Sequence, residues 1–148
     1  MNDFADVEVL LVEDNHADAE MTMRALDRAN FLNKVYWVHD GVEALDFVRC
    51  SGSYQSRDRA QRLKLILLDL NMPRLSGLSV LRELKSGKQT STIPVVVMTS
   101  SDQDTDIAES YRLGVNGFVN KPVEFSAFVE AVARIGMYWL MVNQAPPL

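Results

Sequence analysis

Apolar runs of strand length recur along this chain, and stretches of helix length separate them. Val9-Leu10-Leu11-Val12, Leu65-Ile66-Leu67-Leu68 and Val95-Val96-Val97-Met98 are apolar at every position. Runs of that kind suit strands covered on both faces. The intervening segments place apolar residues at helical spacing, as with Ala19, Met23 and Leu26, or Val42, Leu45 and Val48. A parallel sheet wrapped by helices accommodates this alternation.

The pattern predicts strands over residues 7–12, 35–38, 65–68, 93–98 and 118–120. Pro94 must sit at the start of its strand, because proline cannot donate to a ladder. Helices are expected over 17–29, from Gly41, from Leu78 to before Gly87, from Ser101 to a glycine stop at Gly114, and from near Glu124. Ser101 with Asp104 reads as a capping box. Residues 51–64 read as a long surface loop, with Arg57, Arg59, Arg62 and Lys64 solvated in it. Cys50 reads as a half-buried structural thiol. Five strands alternating with five helices make a doubly wound α/β fold of three layers, with the flavodoxin-like strand order 2-1-3-4-5. Its ligands lie outside the C-terminal strand ends, near the first and third strands.

The chain of 148 residues is expected to form a single domain, 1–148, with a core over about 6–135 and an apolar extension over 136–148. A net charge of -5 argues against nucleic acid as a partner. The acidic N-terminus lacks a secretory pattern, and no apolar run approaches membrane-span length, so a cytoplasmic location is expected.

The polar residues that end the strands carry the chemistry. Glu13-Asp14 follow the first strand, Asp69 the third, Thr99-Ser100 the fourth and Lys121-Pro122 the fifth. Carboxylates gathered at one edge repel unless a proton or cation sits among them, and oxygen ligands in an open site suit Mg²⁺. An Asp oxygen beside such a cation is a competent phosphoryl acceptor. Lys121 can pair with one phosphoryl oxygen, and Thr99 can donate to another. Any one of these residues alone reads as a turn or surface residue; together they read as a metal-assisted phosphoryl site.

The stretches Leu11-Val12-Glu13-Asp14-Asn15, Leu67-Leu68-Asp69-Leu70-Asn71-Met72-Pro73, Val97-Met98-Thr99-Ser100 and Lys121-Pro122 resemble those of the receiver domains of two-component response regulators. The resemblance covers nearly the whole chain. It implies that Asp69 takes a phosphoryl group from a histidine kinase in a phosphorelay. Glu13, Asp14, Asp69 and the Asn71 backbone carbonyl would hold Mg²⁺. Thr99 and Lys121 would sense the phosphate, Phe118 would be the aromatic switch, and the Lys121-Pro122 peptide would be cis. The chain would be a regulator rather than an enzyme, apart from self-phosphorylation from small donors and self-dephosphorylation. His16 departs from the family, which often has proline there, and reads as a solvent-facing helix-start residue; His39 is assigned no role. Two alternatives stand beside this reading. One is a Mg²⁺ phosphohydrolase of the haloacid-dehalogenase type, which normally wants a second acid where Asn71 stands. The other is a binding module that signals without phosphate.

Met137 to Val142 is apolar on every side of a helix, and such a helix needs more than one covering surface. Tyr138, Trp139 and Leu140 are therefore expected at a homodimer surface. This ending, with the loop near Ser53-Tyr54, is similar to single-domain regulators paired with bacterial and cyanobacterial phytochromes. That similarity implies a phytochrome-type kinase, no output domain and an unidentified downstream protein partner.

Overall fold

The computed structural model describes residues 4–100 and 103–147. Five strands, β1 (Val9–Val12), β2 (Val35–Val38), β3 (Leu65–Leu68), β4 (Val95–Thr99) and β5 (Gly117–Asn120), form one parallel sheet in the order 2-1-3-4-5. Five helices alternate with them: α1 (His16–Arg28), α2 (Gly41–Arg49), α3 (Gly77–Ser86), α4 (Asp104–Leu113) and α5 (Phe125–Gly136).

Strand periodicity divides the core into two layers. Leu10, Val12, Ile66, Leu68, Val95 and Val97 point to one face, where they meet Phe47 of α2 and Val80, Leu81 and Leu84 of α3. Val9, Leu11, Leu65, Leu67, Val96 and Met98 point to the other, against Ala19 and Leu26 of α1 and Phe128 and Val132 of α5. The fully apolar runs are explained by this double coverage.

Local chemistry sets the helix ends. The Asn15 side chain accepts the Asp18 N–H at 3.0 Å and starts α1; Asp40 and Ser76 do the same for α2 and α3. Asn30 and Gly114 take the left-handed conformation after α1 and α4. The structure starts α4 at Asp104 after Gln103, and the expected capping box at Ser101 lies outside the described residues.

Several expectations change. The 51–64 segment is not simply solvated: Tyr54 and Arg57 are buried, Tyr54 among Phe4, Tyr36 and Phe47. Aromatic edge-to-face packing draws the loop onto the sheet layer. Cys50 is buried outright, as the left-handed cap of α2.

Beyond Gly136 the helix continues as a π-helical stretch, Met137–Val142, in which Leu140 packs into the α1/α5 layer. Leu140 is thus satisfied within its own domain and is no part of an exposed surface. The combined helix Phe125–Val142 is long and apolar enough by composition to cross a bilayer, contrary to expectation. In this fold its Phe128 and Val132 are fully buried against the sheet.

Gly77 opens α3 directly under the Asp69 turn. A Cβ there would lie 2.2 Å from the Asp69 carbonyl oxygen and 2.5 Å from the Leu70 Cα. Backbone cannot yield as a side-chain tip can, so Gly77→Ala is expected to lower stability in urea by about 1–3 kcal/mol or more. Gly117→Ala, whose Cβ meets Val96 methyls at 3.5 Å, is expected to stay within about 1 kcal/mol of the parent. Equal stabilities for the two variants would refute the close-approach account.

Candidate functional site

Backbone ladders deliver the site residues to one edge. The Glu13 N–H donates to the Val38 carbonyl at 3.2 Å, and the Asp69 N–H to the Val12 carbonyl at 3.1 Å. The Lys121 N–H donates to the Thr99 carbonyl at 2.8 Å. Each residue sits at or just past a strand terminus, so the sheet itself fixes their mutual placement.

One carboxylate oxygen from each of Glu13, Asp14 and Asp69 lies within 4.8 Å of the other two. Glu13 and Asp69 are buried and Asp14 half-buried. Thr99 has no exposure. Asn71 is exposed; its side-chain amide donates to Thr99 Oγ1 at 3.4 Å and its backbone N–H to Asp69 Oδ1 at 3.4 Å. Phe118 is half-buried against the α2/α3 layer, paired in register with Val97.

Lys121 closes the cluster. Its Nζ lies 2.5 Å from Glu13 Oε1 and 2.9 Å from Asp18 Oδ2. The Lys121-Pro122 peptide is trans, not cis as the resemblance implies. Trans is favoured by about 0.5–1 kcal/mol for an X-Pro bond. In the trans chain the Lys121 amine reaches both the Glu13 and the Asp18 carboxylates.

Burial is the largest cause that pushes the Glu13 carboxyl up, to about 8. A hydrogen bond from its side chain to Asp69 and the charge of Asp69 add to this, while Lys121 pulls the other way. Burial also pulls the Lys121 amine down, but Glu13, Asp18 and Asp69 outweigh it and hold the amine above its ordinary value. Lys121 has Asp18 as a second carboxylate and keeps its charge. The extra proton is therefore held on Glu13, whose carboxyl faces the Asp69 charge. This donor set fits a hard divalent cation, which would take that proton's place.

Trp37 and Asp18 are supporting residues that the sequence reading passed over. The Trp37 indole donates to the Glu13 carbonyl at 2.7 Å, tying β2 to the acidic turn. His16 and His39 pack around that ring at 5.1 and 4.2 Å between centroids, so His39 has a structural place after all. Asp18 lies one helical turn beyond Asp14, a spacing visible in the sequence.

Residues 9–133 match the family model described as response regulator receiver domain. The probable methanogenesis regulatory protein FilR2 of Methanothrix harundinacea is 39% identical, over 93% of this chain and 86% of that protein. The structure of the phosphorylated cyanobacterial phytochrome response regulator RcpA is similar with a TM-score of 0.87 and 38% identity, covering 97% of this chain and all of that one. The Mn²⁺-bound response regulator Rcp1, known from Synechocystis, aligns with a TM-score of 0.84 and 34% identity over 94% of this chain and 98% of that one. These similarities favour phosphoacceptor chemistry over both the phosphohydrolase and the phosphate-independent module.

Because Glu13 carries a proton below about 8, cation binding must expel it. Mg²⁺ affinity, followed by Trp37 fluorescence, is therefore expected to rise with pH by up to roughly tenfold per unit and to level off above that value. Glu13→Gln should flatten the profile. An affinity independent of pH in the unaltered chain would contradict a proton on Glu13.

Proposed function

The chain belongs to the response regulator receiver domain family of two-component signalling, and from that premise we propose that Asp69 accepts a phosphoryl group from a histidine kinase in the presence of Mg²⁺. The observation that carries the reading is the meeting of Glu13, Asp14 and Asp69 oxygens within 4.8 Å, with buried Thr99 and the Lys121 amine at the same edge. An Asp69 oxygen attacks phosphorus while the bond from phosphorus to the kinase imidazole breaks. The imidazole leaves with the electron pair, and an aspartyl phosphate remains. Glu13, Asp14, Asp69 and the Asn71 carbonyl would hold the cation, which would supply positive charge to offset that of the phosphoryl oxygens. Lys121 exchanges a carboxylate partner for a phosphoryl oxygen, and Thr99 donates to another.

The switch follows from the same contacts. Thr99, drawn to the phosphate, makes room for Phe118 to turn further inward, and the outer surface of α4, β5 and α5 changes with it. A phytochrome-type kinase in the cytoplasm is the proposed donor, supported by the similarity to RcpA. The downstream partner is a protein reached through that altered surface.

Self-association is proposed at the end of the last helix. Met137, Tyr138, Met141 and Val142 are 53%, 49%, 66% and 65% exposed and form a contiguous apolar stretch. A cavity of about 440 Å³ opens between Tyr138, Val142 and Ala133. Trp139 is half-buried and packs largely against its own domain, so the exposed residues beside it carry this surface.

Incubation with Mg²⁺ and acetyl phosphate is expected to add one phosphoryl group to the intact mass, and Asp69→Asn to add none. An undiminished adduct on Asp69→Asn would overturn the assignment. Light scattering at high micromolar concentration is expected to give a dimer that Met141→Glu converts to monomer; a monomer in both, phosphorylated or not, would remove the self-association.

A further inference from the structure

At the end of the sheet opposite Asp69 lies a second charged concavity. It is a cavity of about 440 Å³ between the C-terminus of α2, residues 57–63 and the segment entering β4. Arg49, Arg57, Arg59 and Arg62 line it, with Val48 and Ile93 on its apolar wall. Arg49 is committed to Glu83 at 3.0 Å. Among the described residues, no carboxylate comes within ion-pair distance of Arg57, Arg59 or Arg62. Asp58 is exposed, and its carboxylate accepts the Ala60 N–H instead.

Arg57 departs most from what a folded chain tolerates. It is only 5% exposed. Its Nη1 donates to the Phe47 carbonyl at the end of α2 and, at 3.5 Å, to Cys50 Sγ. Its guanidinium carbon lies 4.0 Å from the centre of the Phe47 ring. The helix end and the ring face offset part of the charge. Nε is nevertheless buried without an acceptor among the described residues. A buried cation without an anion is expensive, and an orphaned buried donor adds to the cost. Burial accordingly draws the guanidinium below its ordinary value.

An anion in the cavity would supply the counter-charge that Arg57, Arg59 and Arg62 lack among the described residues. Arg62 donates to the Pro146 carbonyl at 3.5 Å, which leaves its charge uncompensated. Guanidinium forks bind phosphoryl oxygens bidentately, and three cations without a carboxylate partner among the described residues match the charge of a diphosphate better than that of a single phosphate. The volume falls within the range of small-molecule sites, and the apolar wall can cover an organic group. We propose that this cavity binds a small organic diphosphate, its phosphoryl groups on Arg57, Arg59 and Arg62 and its organic part against Val48 and Ile93. The site is separate from the phosphoacceptor, since its residues precede β3 and β4 whereas Asp69 and Thr99 stand at the other ends of those strands.

Calorimetric titration of the full chain with ADP and with pyrophosphate, in EDTA and without Mg²⁺, tests this. One equivalent of each probe is expected to bind, ADP the more tightly. Sulfate at matched ionic strength is expected to bind at least roughly tenfold more weakly. Arg57 is buried and its removal endangers the fold, so the variant of choice is Arg59→Gln with Arg62→Gln. That double variant should unfold in urea like the parent and lose roughly tenfold or more in affinity. Asp69→Asn should bind both probes as the parent does. No heat of binding, sulfate binding as well as ADP, or undiminished binding by the folded double variant would each overturn the proposal.

Discussion

Carboxylates crowded onto one sheet edge are the constraint on which the rest of this structure depends. Two such charges at about 4 Å repel by roughly 4 kcal/mol at an effective dielectric near 20, and here three carboxylates each bring one oxygen within 4.8 Å of the other two. The ladder bonds from Glu13 to Val38 and from Asp69 to Val12 hold them there. Those bonds exist because β1 lies between β2 and β3. Strand order, and not any loop conformation, therefore creates the repulsion that a proton or a cation relieves. Lys121 reaches the cluster from β5 at the far side of the sheet and partly compensates it.

The same arrangement makes the site responsive. Lys121 bridges Glu13 on β1 and Asp18 on α1, so whatever draws the amine away frees a contact to the first helix. Thr99 and Lys121 are joined through backbone at 2.8 Å, and Phe118 lies opposite Val97 on the adjoining strands. A charge arriving at Asp69 acts on two residues of one strand pair together. Trp37 works in the opposite sense: its bond to the Glu13 carbonyl anchors the acidic turn to β2.

Legibility in the sequence followed the range of the interaction. Strand β3 is read to the residue, because a continuous apolar run bounded by polar residues admits one placement. The helix stop at Gly114 is read because the left-handed conformation is a local preference. The site set Glu13, Asp14, Asp69, Thr99 and Lys121 is visible because each member terminates a recognisable strand. The burial of Arg57 is not visible, since it depends on Phe47 and Cys50 presented by a preceding helix. The inward turn of Leu140 escapes for a related reason: a π-helical step changes which side chain faces the core, and the sequence of Met137–Val142 is apolar on every face. Trp37 and Asp18 act through a backbone carbonyl and an amine that only the tertiary structure brings near.

The net charge of -5 conceals a separation of charge along the sheet. Acids occupy the C-terminal strand ends and unpaired arginines the N-terminal ends. α2 spans the two: Asp40 caps its start, where it also accepts Arg74 at 2.6 Å, and Arg57 donates to the Phe47 carbonyl near its end. Each end of that helix thus carries the charge its dipole favours. At the start the cap is a carboxylate already paired with a cation. At the other end the cap is a cation with no carboxylate at ion-pair distance among the described residues. Helix termination accounts for one guanidinium nitrogen of Arg57 and leaves its Nε without an acceptor among the described residues, where Arg59 and Arg62 also lack a carboxylate at ion-pair distance, so the dipole alone does not explain why this loop is basic and folded inward. A surface loop under no other demand would leave Arg57 in water, where its charge costs nothing. Its burial in this fold is the physical ground for expecting that the basic end, like the acidic one, is completed by a charge from outside the chain.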